Sequence, residues 1–137
     1  MADKQVHKDA LPNWEKAVIP PEKLRDYSLN PDHSTGGGDK ARVFKSMLGL
    51  ERQDWESLAT DIRARLPEYP AFRKGTTVCG EPRWTVYIPV VGANGNLAVV
   101  TTGWVFKLAE PDVPVLVTCY IETQEQEKLK SLLGLEP

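Results

Sequence analysis

The chain has 137 residues, 41% of them apolar, and its 17 Lys and Arg against 19 Asp and Glu leave a net charge of −2. This composition excludes a wholly disordered chain, a collagen-like repeat and a disulfide scaffold. No run of about 18 apolar residues occurs, so no membrane-spanning helix is expected, and the near-balanced charge disfavours a protein that lives on non-specific affinity for nucleic acid.

The opening stretch Met1-Ala2-Asp3-Lys4-Gln5 lacks an apolar core. No secretory signal is expected from it, and the expected location is the cytoplasm. Residues 1–10 are expected to be disordered, followed by one domain over residues 11–134. Asn13 to Ala17 suits a single turn. Pro20-Pro21 opens a first helix, with Leu24 and Tyr27 at i, i+3 and Asn30-Pro31 as its stop. A loop follows from Asn30 to Gly38. Asp39 leads into a second helix with Ala41, Phe44, Met47 and Leu48 on its core face and Gly49 past its end. A third helix from Asp54 to Leu66 carries Trp55, Leu58, Ala59, Ile62 and Leu66 in one stripe and stops at Pro67.

From residue 71 onward, alternation replaces the helical period. A weak strand near 71–79 precedes one from Arg83 to Val91, in which Pro89 asks for an edge or a bulge. Asn94-Gly95 is a hairpin signal, and a type I′ turn there needs positive φ at both residues. The return strand runs from Asn96 to Lys107, and another spans Val115 to Glu122. In that last strand Val115, Val117, Cys119 and Ile121 are expected to face the core, with Thr118 and Tyr120 on the other face. Thr123-x-x-Gln126 resembles a capping box that opens a short helix bearing Leu129, Leu132 and Leu133. The expected class is α+β: N-terminal helices packed on an antiparallel three- to four-stranded meander, closed by a short C-terminal helix.

Cys79 and Cys119 are not accompanied by a C-x-x-C or Cys/His cluster. They are expected to be buried or half-buried thiols in a reducing compartment, and no metal or cofactor is expected. The segment from Asn30 to Lys40 is the most unusual. It combines His33, the glycines Gly36-Gly37-Gly38 and Lys40 at a helix start. Glycines let a ligand approach the backbone, and a helix start suits an oxyanion or phosphate, to which Lys40 and Arg42 add positive charge. A neutral histidine can serve as general base or acid. On the strands, Thr102 and Trp104 share one face and Thr118 and Tyr120 share another; a threonine hydroxyl can bond a phosphate oxygen, and an aromatic ring can stack on a base. The plainer alternatives are a solvated surface loop and threonine–aromatic pairing that merely stabilises the sheet. No Walker A, H-E-x-x-H or G-x-S-x-G pattern is present.

These residues are familiar together. Leu11-Pro-Asn-Trp14, Ala17-Val-Ile-Pro20, Lys23-Leu24, Tyr27, Leu29-Asn-Pro31, His33, Gly38, Lys40-Ala41, Phe44 and Leu48-Gly49 resemble a small bacterial domain family of unknown function. The second half fits as well, through Asn94-Gly95, Thr102-x-Trp104, Pro114-x-Leu116 and Thr118-x-Tyr120. That family occurs alone and at the C-termini of toxin-like and phage-associated proteins. Its layout is similar to the barnase–EndoU–colicin–RelE group of metal-independent ribonucleases. The resemblance implies a site of His33, Lys40, Thr118 and Tyr120, with Thr102 and Trp104 holding substrate; Arg42, whose charge adds to that of Lys40, is expected to hold substrate with them. The implied partners are RNA and an immunity or antitoxin-like protein.

Two functions of different kind follow. In a metal-independent endoribonuclease, the 2′-OH attacks the adjacent phosphate while His33 and the cations serve proton transfer and charge. In a non-catalytic module, the sheet face would bind a protein partner through exposed aromatics. A small antitoxin-like partner role is a third, and it leaves the His–Gly–Lys loop unexplained. Convergence of His33, Lys40 and the Thr118/Tyr120 face discriminates the first two.

Overall fold

The computed structural model describes residues 6–34 and 37–135. The chain is α+β. A short helix α1 (Pro21–Lys23) runs directly into a π-helical turn (Leu24–Ser28), followed by α2 (Gly37–Leu48) and α3 (Trp55–Arg65). Strands β1 (Ala71–Thr76), β2 (Pro82–Val91), β3 (Leu97–Phe106) and β4 (Pro114–Ile121) then form one antiparallel meander in the order β1-β2-β3-β4, and α4 (Gln126–Leu132) ends the chain. Among the described residues no helix is long and apolar enough to cross a membrane.

One face of the sheet carries the core. Val86, Ile88 and Val90 of β2, Val100 and Trp104 of β3 and Leu116, Cys119 and Ile121 of β4 pack against Phe44 and Leu48 of α2 and Leu58 and Ile62 of α3. The α2 face is as its period predicts, with Ala41, Phe44 and Leu48 buried and Met47 packed at the margin. The helix begins two residues before Asp39, at Gly37. It ends on Gly49 at φ 66°, whose N–H bonds the Lys45 carbonyl. A 3₁₀ turn (Arg52–Asp54) precedes α3, and the Asp54 carboxylate accepts the Glu51 N–H at 2.8 Å in a reciprocal cap. Arg52 reaches back to Asp26, already paired with Arg25. The two guanidiniums hold the Asp26 carboxyl well below the usual carboxylate range.

The N-terminal residues 1–10, expected to be disordered, are described only from residue 6. Residues 1–5 lie outside the described residues. His7 donates its N–H to the Pro67 carbonyl, Ala71 donates to the Asp9 carbonyl, and Leu11 is fully buried. Leu11 and these backbone bonds together hold the segment against the entropy of ordering it.

The β2–β3 hairpin forms at Asn94-Gly95, with a different turn. Gly95 has φ 83° but Asn94 does not take positive φ. Gly92 bonds the Asn96 carbonyl, and Gly95 bonds the Gly92 carbonyl. This is a three-residue loop with glycine in the left-handed position. Asn94 is otherwise engaged: its N–H and its side-chain amide donate to the Leu48 and Met47 carbonyls at the end of α2, each at 3.4 Å. In β4 the expected alternation also shifts. Gly103 pairs with Thr118, but Trp104 pairs with Leu116, so Val117 is a bulge residue. Leu116 therefore turns inward, and Val115 and Val117 remain half-exposed.

Pro89 sits at a local edge, as its ring requires. Its partner Val99 gives both backbone groups to the buried Gln126 side chain, N–H to Oε1 at 2.8 Å and C=O from Nε2 at 3.0 Å. Directly opposed antiparallel residues exchange both bonds or neither. Pro89 thus faces the β1 side, where pairing stops at Val86. Gln126 in effect continues the β4 ladder one position past its end. Gln126→Ala is expected to cost about 1–3 kcal/mol by leaving the Val99 groups unpaired. Urea unfolding checks this, and an unchanged midpoint would show that water replaces the amide without penalty.

The cysteines differ from one another. Cys119 is buried, as expected, and Cys79 is exposed beside fully exposed Val78 in the β1–β2 turn. Burial pushes the Cys119 thiol up to about 12. A maleimide at about pH 8 should label Cys79 rapidly and Cys119 only on unfolding. Rapid labelling of both in the native protein would contradict the packing of β4 against α2.

Candidate functional site

The π-helical turn shapes one edge of the sheet. Its wider circuit moves Tyr27 off the face of Leu24 and buries Leu24 and Ser28 instead. The Ser28 hydroxyl donates to the Cys119 carbonyl at 2.7 Å, which pins the turn to β4. The Tyr27 ring meets the His33 ring edge-on at 4.5 Å between centroids. Lys40, from the first turn of α2, donates to the Tyr27 hydroxyl at 3.3 Å and lies 4.5 Å from the centre of its ring. The same ammonium is 5.7 Å from the centre of the Tyr120 ring. His33, Tyr27, Lys40 and Tyr120 are therefore consecutive contacts around the β4 edge. The cation gains from both ring faces.

The glycines before Lys40 have an internal use. A Cβ at Gly37 would lie 2.6 Å from the Tyr27 carbonyl oxygen and 2.8 Å from the His33 Cβ, and one at Gly38 would lie 2.9 Å from the carbonyl oxygens of Pro31 and His33. They let α2 start hard against the His33 loop, so the chain's own backbone takes the close approach expected of a ligand. Gly36 lies outside the described residues. Beside this contact is a cleft of about 330 Å³ lined by His33, Ser34, Asp39 and Arg42 among others. Arg42 is exposed there and paired with Asp39.

The sheet face opposite the core carries Thr118 and Tyr120, both half-exposed. Register brings Thr85 and Tyr87 of β2 and Thr101 and Gly103 of β3 to the same face. Gly103 leaves room for the Thr118 methyl, 2.4 Å from where a Cβ would sit. A small pocket of about 110 Å³ lies there, with Lys74, Arg83, Thr85, Thr118 and Tyr120 in its walls. The Tyr120 phenol is raised above its ordinary range by burial first, then by Glu122 and Tyr87.

Thr102 and Trp104 do not reach that face. They are buried at 0% and 1% exposure, and Thr102 pairs with core-facing Cys119. The Trp104 indole N–H donates to the Thr102 hydroxyl at 2.8 Å, and that hydroxyl donates to the Val86 carbonyl at 2.7 Å. Their assignment as substrate-holding residues is corrected: they form a satisfied core network. Strand parity, with Cys119 inward, places Thr102 inward too once the register is known.

The structure thus links His33, Lys40 and Tyr120, sets Thr118 in the small pocket with Tyr120, places Arg42 in the His33 cleft, and buries Thr102 and Trp104. Two site residues are not site candidates in the sequence reading. Tyr27 enters the sequence reading as a helix-face residue and as one position of the family resemblance, not as a site candidate, because a π turn leaves no spacing signature. Tyr87 could be found from the hairpin, since its register sets Tyr87 across from Thr101. Among the described residues no group of three or more His, Cys, Asp or Glu side chains is gathered to hold a metal ion.

One family model, described as Domain of unknown function (DUF6883), matches residues 10–123. Among curated proteins and among solved structures, none matches the chain.

Proposed function

We propose, taking as premise that this chain belongs to the DUF6883 family, that it is a metal-independent endoribonuclease whose reacting groups are His33, Lys40 and Tyr120. The observation that carries this reading is the contact sequence His33–Tyr27–Lys40–Tyr120, which gathers an imidazole, an ammonium and a phenol from the loop, α2 and β4. In the reaction His33 takes the proton of the 2′-OH, whose oxygen attacks the adjacent phosphorus. The bond to the 5′-oxygen breaks as that oxygen is protonated, with Tyr120 as the donor, leaving a 2′,3′-cyclic phosphate. Lys40 offsets the charge on the non-bridging oxygens. Thr118 contacts the strand next to the scissile bond, and Arg42 receives a flanking phosphate.

Single-turnover cleavage of a mixed-sequence RNA in EDTA tests it. Wild type should leave 2′,3′-cyclic ends, and DNA, lacking the 2′-OH, should be inert. His33→Ala and Lys40→Met should each lower the rate by about a hundredfold or more. Equal cleavage by wild type and His33→Ala, or none by wild type from about pH 5 to about pH 8, overturns the reading. One observation favours a second function: the His33 cleft and the small Thr118–Tyr120 pocket have separate walls. A non-catalytic module would use the sheet face alone, with Tyr87, Thr118 and Tyr120 rather than Thr102 and Trp104 as its anchors.

A further inference from the structure

A cavity of about 520 Å³ lies between Tyr87, Thr101 and Tyr120 of the sheet and α4. That is within the range of small-ligand pockets. Tyr87 of β2 and Tyr120 of β4 flank Thr101 of β3 from either side, and both line the cavity. Leu129 and Leu132 of α4 face them. Glu122 also lines the cavity, and its carboxylate is close enough to raise the Tyr120 phenol. Glu125 and Lys128, paired at 3.9 Å, line it as well.

We infer that this pocket takes a single nucleobase, and that Glu122 makes it prefer bases with an exocyclic amino group, adenine, cytosine or guanine, over uracil. The walls supply what a planar, amphipathic ring needs: two phenol rings on one side and aliphatic carbons on the other. Glu122 is an acceptor only. An amino group satisfies it, whereas uracil offers one N–H between two carbonyl oxygens that repel a carboxylate. Position adds a second argument. Tyr120 forms a wall of this pocket and also lies beside Lys40, so a base here and a phosphate at Lys40 would touch one side chain. The inference deepens the ribonuclease reading by naming the base subsite, and it rests on that reading for the identity of the ligand as RNA. The pocket itself had no signal in the sequence, because α4 is set against the opposite face by Gln126, whose partner Val99 is 27 residues away.

Binding of adenosine, guanosine, cytidine and uridine 5′-monophosphates to the full chain tests it, followed by backbone amide NMR shifts. Shifts at Tyr87, Tyr120 and Leu129, with uridine monophosphate binding about tenfold more weakly than the others, support the inference. Glu122→Gln should erase that preference. Leu132→Trp, at a position 55% exposed, should fill the pocket and weaken all four about tenfold while the protein stays folded. Shifts confined to other surfaces, or affinities indifferent to Leu132→Trp, overturn the base site. His33-dependent cleavage with no binding in the pocket removes this inference alone. Binding in the pocket without cleavage by wild type removes the ribonuclease reading and leaves a nucleobase-binding site.

Discussion

Gly92→Ala should destabilise the protein by about 3 kcal/mol or more, although the change adds one methyl group to a surface hairpin. The new Cβ would sit 2.1 Å from the Leu48 carbonyl oxygen and 2.6 Å from its carbonyl carbon. Both partners are backbone, so no rotamer relieves the overlap. Relief requires the hairpin loop to lift off the end of α2. The Asn94 bonds to the Met47 and Leu48 carbonyls are then lost, and those helix-terminal acceptors return to water. Gly95→Ala in the same loop provides the comparison. It meets nothing within 4 Å and bears only the strain of φ 83°, a loss of about 1–2 kcal/mol. Guanidinium unfolding of both variants decides. A Gly92→Ala loss no larger than that of Gly95→Ala would show that the hairpin is not docked on α2.

Trp104→Ala should cost about 3–5 kcal/mol, the range for removing a fully buried large aromatic residue. Thr102→Val is the more informative change because it keeps the shape. It leaves the indole N–H without its acceptor and takes one bond from the Val86 carbonyl, a loss of about 1–3 kcal/mol. In Trp104→Phe that N–H is gone, so adding Thr102→Val should cost less than it does in wild type, by about 0.5–2 kcal/mol. Thermal melts and a double-mutant cycle measure this. If Thr102 instead held substrate, Thr102→Val would leave the melting temperature in place and impair RNA cleavage or binding.

The buried Thr102 and Trp104 also show why part of the site was not legible in the chain. A strand tells which residues share a face, but not which face is covered. For β3 the answer came from its neighbours, since pairing with Val86 and Cys119 turns Thr102 inward. In β4 a single extra residue, Val117, reversed the inward set between Leu116 and Val115 while leaving Thr118 and Tyr120 outward. Tyr27 was hidden for a different reason. Its role depends on a π turn whose register is set by the Ser28 hydroxyl on the Cys119 carbonyl, 91 residues away. His33 and Lys40 were legible because a histidine, a glycine run and a lysine at a helix start are local features with local chemistry.

The sequence by itself determined what short-range physics controls. Helical stripes around Phe44 and Ile62 specified α2 and α3, alternation and Asn94-Gly95 specified the antiparallel meander, and the resulting class is α+β. Tertiary structure alone decided which sheet face packs against α2 and α3, that Gly37 and Gly38 serve packing of the His33 loop, and that Lys40 lies beside the Tyr120 ring. The reason is that each of these depends on contacts between residues far apart in the chain. Burial rewards such contacts only when the whole core closes, and no window of sequence carries that information.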